Sequence, residues 1–370
     1  MRKIWIWQQE NWPNFVWDTQ KINLLLGNVK SLQGEMNGIA KIIGFNSDTI
    51  VSAALDSETL EIIKTAEIEG VILNSEDVRS SVARRLGIEI NNANRNHYIE
   101  GVVNVFMDAV QNCKEELSQD KLFAWHKALF PMGVSDGYPI NVAQYRQSVE
   151  PMQVVSGAMG KEKIHYQAPS SESLQSMMED LFSWANKEDM VDDVLKAAIL
   201  HLWFVSIHPF DDGNGRIARI ITDVFLARAD GLPYRFYSMS AEILKERKTY
   251  YDILERTQKG SLDITRWLEW FLGCLATAIN NGKEFVKKIV EKTSFWERNR
   301  NKVLNERQIK VINLLLDDFF GVLNSSKWAK INKCSQDTAL RDINDLIQKD
   351  ILKKGTSSGR STNYILKMDN

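Results

Sequence analysis

Apolar residues recur at three- and four-residue intervals through long stretches of this chain, and strand-like alternation is scarce. The stretches Leu117–Phe130, Leu174–Trp184, Val194–Val205, Ile264–Ile279 and Lys302–Phe319 show this most clearly. That period matches one face of an α-helix, so the sequence predicts a mainly α fold. With 370 residues the chain can bury a sizeable core and divide into two or three domains. No apolar run reaches the roughly 18 residues that a membrane span needs, so no membrane partner is expected. The opening MRKIWIWQQENW is broken by Gln, Glu and Asn and does not read as a signal peptide. Cys113, Cys274 and Cys334 are too dispersed for a disulfide framework or a metal set, which makes a reducing cytoplasm the expected compartment.

Three regions emerge: a helical region over 1–88, a middle region over 90–290 that holds most of the polar motifs, and a compact unit over 300–370. Trp5, Trp7, Trp12 and Trp17 open the first and are expected to be packing anchors. From Arg300 onward 13 Lys+Arg stand against 8 Asp+Glu, a modest basic surplus on an otherwise acidic chain. Within the middle region Pro151–Ser156 and Lys163–Gln167 flank the turn-prone Gly157–Gly160, which predicts an exposed β-hairpin. Such a hairpin beside a reactive site offers an edge for an extended partner segment.

The strongest feature is the run from Ile207 to Arg219, in which His208, Asp212, Gly213, Asn214, Gly215, Arg216 and Arg219 sit between two amphipathic helices. Gly213 to Gly215 stand at the entrance of the second helix, where free N–H groups and the helix dipole attract an anion. Arg216 and Arg219, three apart on one face, can fork onto phosphate oxygens. Asp212 offers a hard oxygen ligand suited to Mg²⁺, and His208 can take a proton near neutral pH. Together these parts describe a phosphoryl- or nucleotidyl-transfer site. Neither a P-loop nor a zinc motif is present.

At this point the sequence resembles the Fic (Fido) family, whose signature is matched by His208-Pro-Phe-x-Asp212-Gly-Asn-Gly-Arg216-x-x-Arg219 over a resemblance covering about residues 90 to 290. The resemblance implies a Fic-type helical core with a β-hairpin flap. It also implies that His208 deprotonates a Tyr, Ser or Thr hydroxyl of a target protein, which attacks the α-phosphate of ATP. Asp212 would hold Mg²⁺, Asn214 and the loop amides (Gly213, Gly215) the α/β-phosphates, and Arg216 and Arg219 the β- and γ-phosphates. Gly215, where a phosphorylating branch of the family has Lys, favours AMP transfer. Val155, Ser156 and Gly157 resemble the flap. Tyr250 and Gln258 resemble the adenine-side pair, with Gln258 in place of the family's Asn.

Residues Ser57 to Glu69 read as a helix with Leu60, Ile63 and Ile68 facing inward and Gly70 as its stop. Thr65-Ala-Glu-Ile-Glu69-Gly70 resembles the family's inhibitory motif in the class that carries it N-terminally, and implies that Glu69 pairs with Arg219. The region ahead resembles a helical domain of unassigned function. After Asn305 the pattern is helix, short helix, turn, third helix and a β pair, which resembles a winged helix-turn-helix. There Ser335 would cap a recognition helix presenting Gln336, Thr338 and Arg341, and Arg360 would lie in the wing, so DNA is a candidate partner of residues 305–366. A second copy of the chain is another candidate partner. The leading expectation is a self-inhibited protein adenylyltransferase. The alternatives are a transcription regulator with a Fic sensor domain and an enzyme that removes AMP with help from Glu69.

Overall fold

Short polar side chains mark where the helices begin. Asp18, Asn74, Asn96, Ser118, Asp192, Ser238, Asn305, Asn324 and Ser335 each accept a hydrogen bond from a backbone N–H two or three residues on. Each thereby satisfies a donor that the helix itself leaves free. The computed structural model describes residues 5–44, 48–88, 96–156, 163–188, 191–317, 319, 321–355 and 362–367. Gly157, the rest of the first hairpin's tip to 162, and Arg360 with the second hairpin's tip lie outside the described residues.

The chain forms two compact units, Met1–Glu284 and Phe285–Asn370. In the first, α1 (Thr19–Ile43), α2 (Asp48–Ile68), α3 (Ser75–Arg85), α4 (His97–Gln111) and α5 (Gln119–Leu129) precede two small hairpins. The first hairpin pairs β1 (Val134–Ser135) with β2 (Tyr138–Pro139), and the second pairs β3 (Gln153–Ser156) with β4 (Lys163–Gln167). Helices α6 (Leu174–Ala185), α7 (Asp193–Ile207), α8 (Asn214–Asp230), α9 (Met239–Lys245) and α10 (Arg247–Gln258) follow, and α11 (Thr265–Asn299) begins in this unit and ends in the second. In the second unit α12 (Glu306–Leu316), α13 (Ser325–Asn332) and α14 (Gln336–Gln348) precede an antiparallel pair of β5 (Leu352–Lys354) and β6 (Tyr364–Leu366). The mainly helical expectation is borne out. Among the described residues no helix is long and apolar enough to cross a membrane.

Helix α7 is the axis of the first unit. Every residue from Val194 to Ile207 is buried, as suits a helix that is apolar nearly all round. One continuous core from Ile6 to Ile279 gathers around it and α8. The opening tryptophans do act as packing anchors. Trp5 meets Tyr166 of β4 edge-to-face at 5.4 Å, and Trp12 meets Trp203 of α7 at 6.2 Å. Trp7 Nε1 donates to the Gln167 carbonyl at 2.8 Å. The N-terminus thus pins the base of the second hairpin.

Helix α2 corrects one expectation. It runs from Asp48, and Leu60 is 41% exposed, while Ala54, Glu58, Glu61, Ile62 and Thr65 turn inward. Buried acids on the inner face disguised its phase, because an apolar-period reading places carboxylates outside. They are not unpaired. Glu61 accepts from the hydroxyls of Ser238 and Ser240 and from the Ser240 N–H, and Glu58 accepts from the Arg235 N–H. The Arg235 guanidinium in turn bonds Asp223 of α8. Burial pushes the Glu58 carboxyl up to about 7 and that of Asp223 up to about 8.

Candidate active site

The chemistry-bearing run falls where the sequence places it, on the loop from α7 to α8. His208 caps α7, donating its N–H to the Phe204 carbonyl at 2.9 Å. Its backbone is left-handed (φ 54, ψ 58), a conformation that costs a non-glycine residue about 1 kcal/mol and persists only if its surroundings hold it. The ring's Nδ1 lies 3.2 Å from the Val205 carbonyl. A carbonyl only accepts, so Nδ1 carries the hydrogen and Nε2 keeps its lone pair. Burial, with Arg146 adding to it, lowers the His208 pKa to about 4, so the imidazole is neutral at pH 7.

The loop behind His208 is closed from inside. Phe210 is fully buried and stacks on His126 at 4.2 Å. The Asn214 amide grips Phe210 on both sides, accepting from its N–H at 3.0 Å and donating to its carbonyl at 2.8 Å. What Asn214 offers to a ligand is therefore its backbone N–H. The first bond within α8 is from Ile217 to Gly213, leaving the amides of Asn214, Gly215 and Arg216 without acceptors in the helix. Gly213 has φ +83, and a Cβ there would sit 2.7 Å from the Phe130 ring, so only glycine suits this turn.

Two guanidiniums lie behind these amides. Arg216 lies over the Phe130 ring at 4.5 Å and reaches Asp212 Oδ2 at 3.5 Å. Arg219 is 2% exposed; its Nε donates to the Thr65 hydroxyl at 2.6 Å and its Nη2 to the Thr65 carbonyl at 3.0 Å and Glu69 Oε1 at 2.7 Å. The expected Glu69–Arg219 pair is therefore formed. Among the described residues Arg216 Nε and Arg219 Nη1 are buried donors with no hydrogen-bond partner, as are Arg146 Nη1 and two donors of Arg235; the two on α8 share their helix with the free amides of Asn214, Gly215 and Arg216. Glu69 occupies the approach to them. A Cβ on Gly215 would lie 2.2 Å from its Oε1.

Asp212 Oδ1 accepts from the Gly213 N–H at 2.6 Å, and Oδ2 accepts from the Ser135 hydroxyl. Ser135 was missed by sequence reasoning, though Asp136-Gly137 signals the tight turn that presents it; both have positive φ (48 and 83). His126 was missed too. It accepts from the Ala143 N–H at Nδ1, 3.2 Å, and donates from Nε2 to the Asp212 carbonyl, 3.1 Å. Nothing in its helical setting distinguishes it from an ordinary core residue. Thr65 was read as part of a motif, but its grip on Arg219 was not foreseen.

Other expected residues stand further back. Tyr250 is buried and donates to His201 Nε2 at 2.9 Å, while His201 Nδ1 donates to the Thr222 hydroxyl at 2.9 Å. Gln258 is buried and donates to the Ser206 hydroxyl at 3.3 Å. Both tie α10 to the core. On the hairpin Val155 and Ser156 are exposed, and Ser156 Oγ bonds His165, whose Nδ1 meets Glu255 of α10 at 2.5 Å. In the second unit Ser335 caps α14 as expected. There Gln336 is engaged with the Ser326 hydroxyl and Asp342 is buried against Arg307, whereas Arg341 is exposed.

A family profile described as Fic/DOC family matches residues 116–226, which encloses this loop. The chain carries a Fic domain. Ahead of its Fic domain, residues 5–88 match a profile described as Domain of unknown function (DUF4172). Protein adenylyltransferase fic-1 of Caenorhabditis elegans is 26% identical over 220 residues, 56% of this chain and 38% of that protein. Protein adenylyltransferase Fic of Nematostella vectensis is 31% identical over 116 residues, 30% of this chain and 25% of that one. The chain thus spans well under half the length of these curated relatives. The crystal structure of a Fic family protein from Desulfovibrio desulfuricans G20 superposes with a TM-score of 0.54 at 18% identity, covering 95% of this chain and 98% of that one. The Fic fold therefore extends to this chain.

Proposed function

We propose that this chain is a protein adenylyltransferase held in check by Glu69, transferring AMP from ATP to a protein hydroxyl. The observation that carries the reading is one loop that turns His208 Nδ1 to the Val205 carbonyl, so that Nε2 is left for a proton, and leads into a helix start with free amides and an Arg219 guanidinium paired with Glu69. ATP's phosphates would take the amides of Asn214, Gly215 and Arg216, with Arg216 Nε and Arg219 Nη1 as charged donors. His208 Nε2 would accept the proton of the target hydroxyl as its oxygen bonds the α-phosphorus, and the bond to pyrophosphate breaks. Asp212, with both oxygens turned toward the loop by hydrogen bonds, fits as a Mg²⁺ ligand. The ion would neutralise phosphate charge when bound. The exposed edge at Val155 and Ser156 fits a target segment added as a strand.

Incubation with α-labelled and γ-labelled ATP tests the reading. Protein labelled only from the α-position, with pyrophosphate released, supports it; label from the γ-position would make the chain a kinase instead. Loss of the Ser135 hydroxyl in Ser135→Ala should raise the Mg²⁺ concentration for half-maximal rate by about 10-fold, since partners of ligands tune metal affinity. An unchanged Mg²⁺ titration would remove Ser135 from the site.

The pH profile follows from His208. Its active form is the neutral ring, lost as pH falls through about 4. The rate should hold level from about pH 8 down to about pH 5 and fall below that. An acid limb near the ordinary histidine value of about 6.5 would count against a buried base.

A further inference from the structure

The left-handed backbone of His208 is held at its N–H by the Phe204 carbonyl, while its own carbonyl is held from outside the reactive loop. The structure assigns that task to Arg146, which we propose is the positioning residue that fixes the base and fastens the hairpin to it. This inference rests on the proposed role of His208.

Arg146 lies between β2 and β3 and is 2% exposed, and among the described residues no carboxylate bonds it. Its Nε donates to the His208 carbonyl at 2.9 Å, and its own N–H donates to the Pro209 carbonyl at 2.9 Å. It therefore holds the two consecutive carbonyls that follow the strained φ/ψ pair of His208. Its Nη2 donates to the carbonyl of Pro169, two residues past the end of β4, at 2.5 Å. One guanidinium thus spans the base's main chain and the hairpin's exit. A lysine at this position has the charge but not the planar fork that bonds two separate carbonyls at fixed angles.

The same cation faces the imidazole electrostatically. The charged groups acting on His208 are Arg146 from this loop, Glu69 from the end of α2 and Asp212 from the reactive loop. Arg146 disfavours the imidazolium, while the two carboxylates favour it. Burial is the largest cause of the lowered His208 pKa and Arg146 adds to it, so this one side chain bears on both the position and the protonation of the base, and the two can be separated by substitution.

The test uses the full chain and two readouts. In the first, NMR titration of labelled imidazoles follows His208, identified among the 5 histidines by its absence from His208→Gln. Arg146→Met should raise the His208 pKa by roughly one unit, and Arg146→Lys should leave it unmoved. In the second, kinetics in the Glu69→Gly background should show both variants losing about 100-fold in kcat, with KM for ATP little changed, as expected for a displaced base. A well-folded Arg146→Met with unaltered titration and kcat would overturn the proposal. So would an Arg146→Lys that restores full kcat, because charge alone would then suffice. Should the parent Glu69→Gly chain transfer no AMP, the adenylyltransferase reading fails, and the titration still decides whether Arg146 sets the state of His208.

Discussion

His208→Ala will lower AMP transfer by about 10²–10⁴-fold, the range that a positioned general base contributes. The expectation rests on the ring's hydrogen bonding rather than on its presence in a motif. With Nδ1 committed to the Val205 carbonyl, Nε2 is the lone pair left to take a proton. The other imidazoles near the loop are spoken for. His126 bonds through both nitrogens to Ala143 and Asp212, and His201 through both to Thr222 and Tyr250. Burial also lowers the His201 pKa to about 3. Neither can substitute, so the loss should be deep and should not be recovered by raising pH. Protein-bound label from α-labelled ATP measures it. A variant retaining a tenth of the rate or more would mean that another group deprotonates the acceptor.

Removing the side chain at 69 should act in the opposite sense. Glu69→Gly is expected to raise transfer by about 10- to 100-fold, the scale of a coupling of roughly 1–3 kcal/mol. The carboxylate withholds Arg219 Nη2 and stands against Gly215, where a phosphate would meet the helix amides. Arg219 would not collapse when Glu69 is lost. Its Nε and Nη2 remain bonded to Thr65, which keeps the guanidinium aimed at the loop. The gain should therefore appear without loss of stability, as checked by thermal denaturation beside the labelling assay. Equal rates in both chains would show that the ion pair restrains nothing.

Much of this site was legible because its residues are close in sequence. A loop between two helices with glycine at its exit can be read from spacing alone, and its anion-binding logic follows from helix termini. The pairing of Glu69 with Arg219, 150 positions apart, was reached only through family resemblance. Spacing carries no information about which distant helix meets which. Ser135, His126 and Arg146 stayed hidden for the same reason: each acts through contacts to main chain or carboxylate far away in sequence. The inward face of α2 was misread at Leu60 because Glu58 and Glu61 are buried with partners supplied by the chain from Arg235 to Ser240.

Those buried carboxylates also bear on how the restraint can be lifted. Swinging α2 outward would give up the three hydrogen bonds that Glu61 accepts from Ser238 and Ser240 and the one that Glu58 accepts from Arg235, and would bring the buried Ile62, Ala66 and Ile68 toward water. Rotating the Glu69 side chain, which is 31% exposed, gives up only one ion pair at the rim. If Glu69 restrains transfer as proposed, the helix is a fixed mounting and the carboxylate its moving part, so the least costly release is the rotation of one side chain.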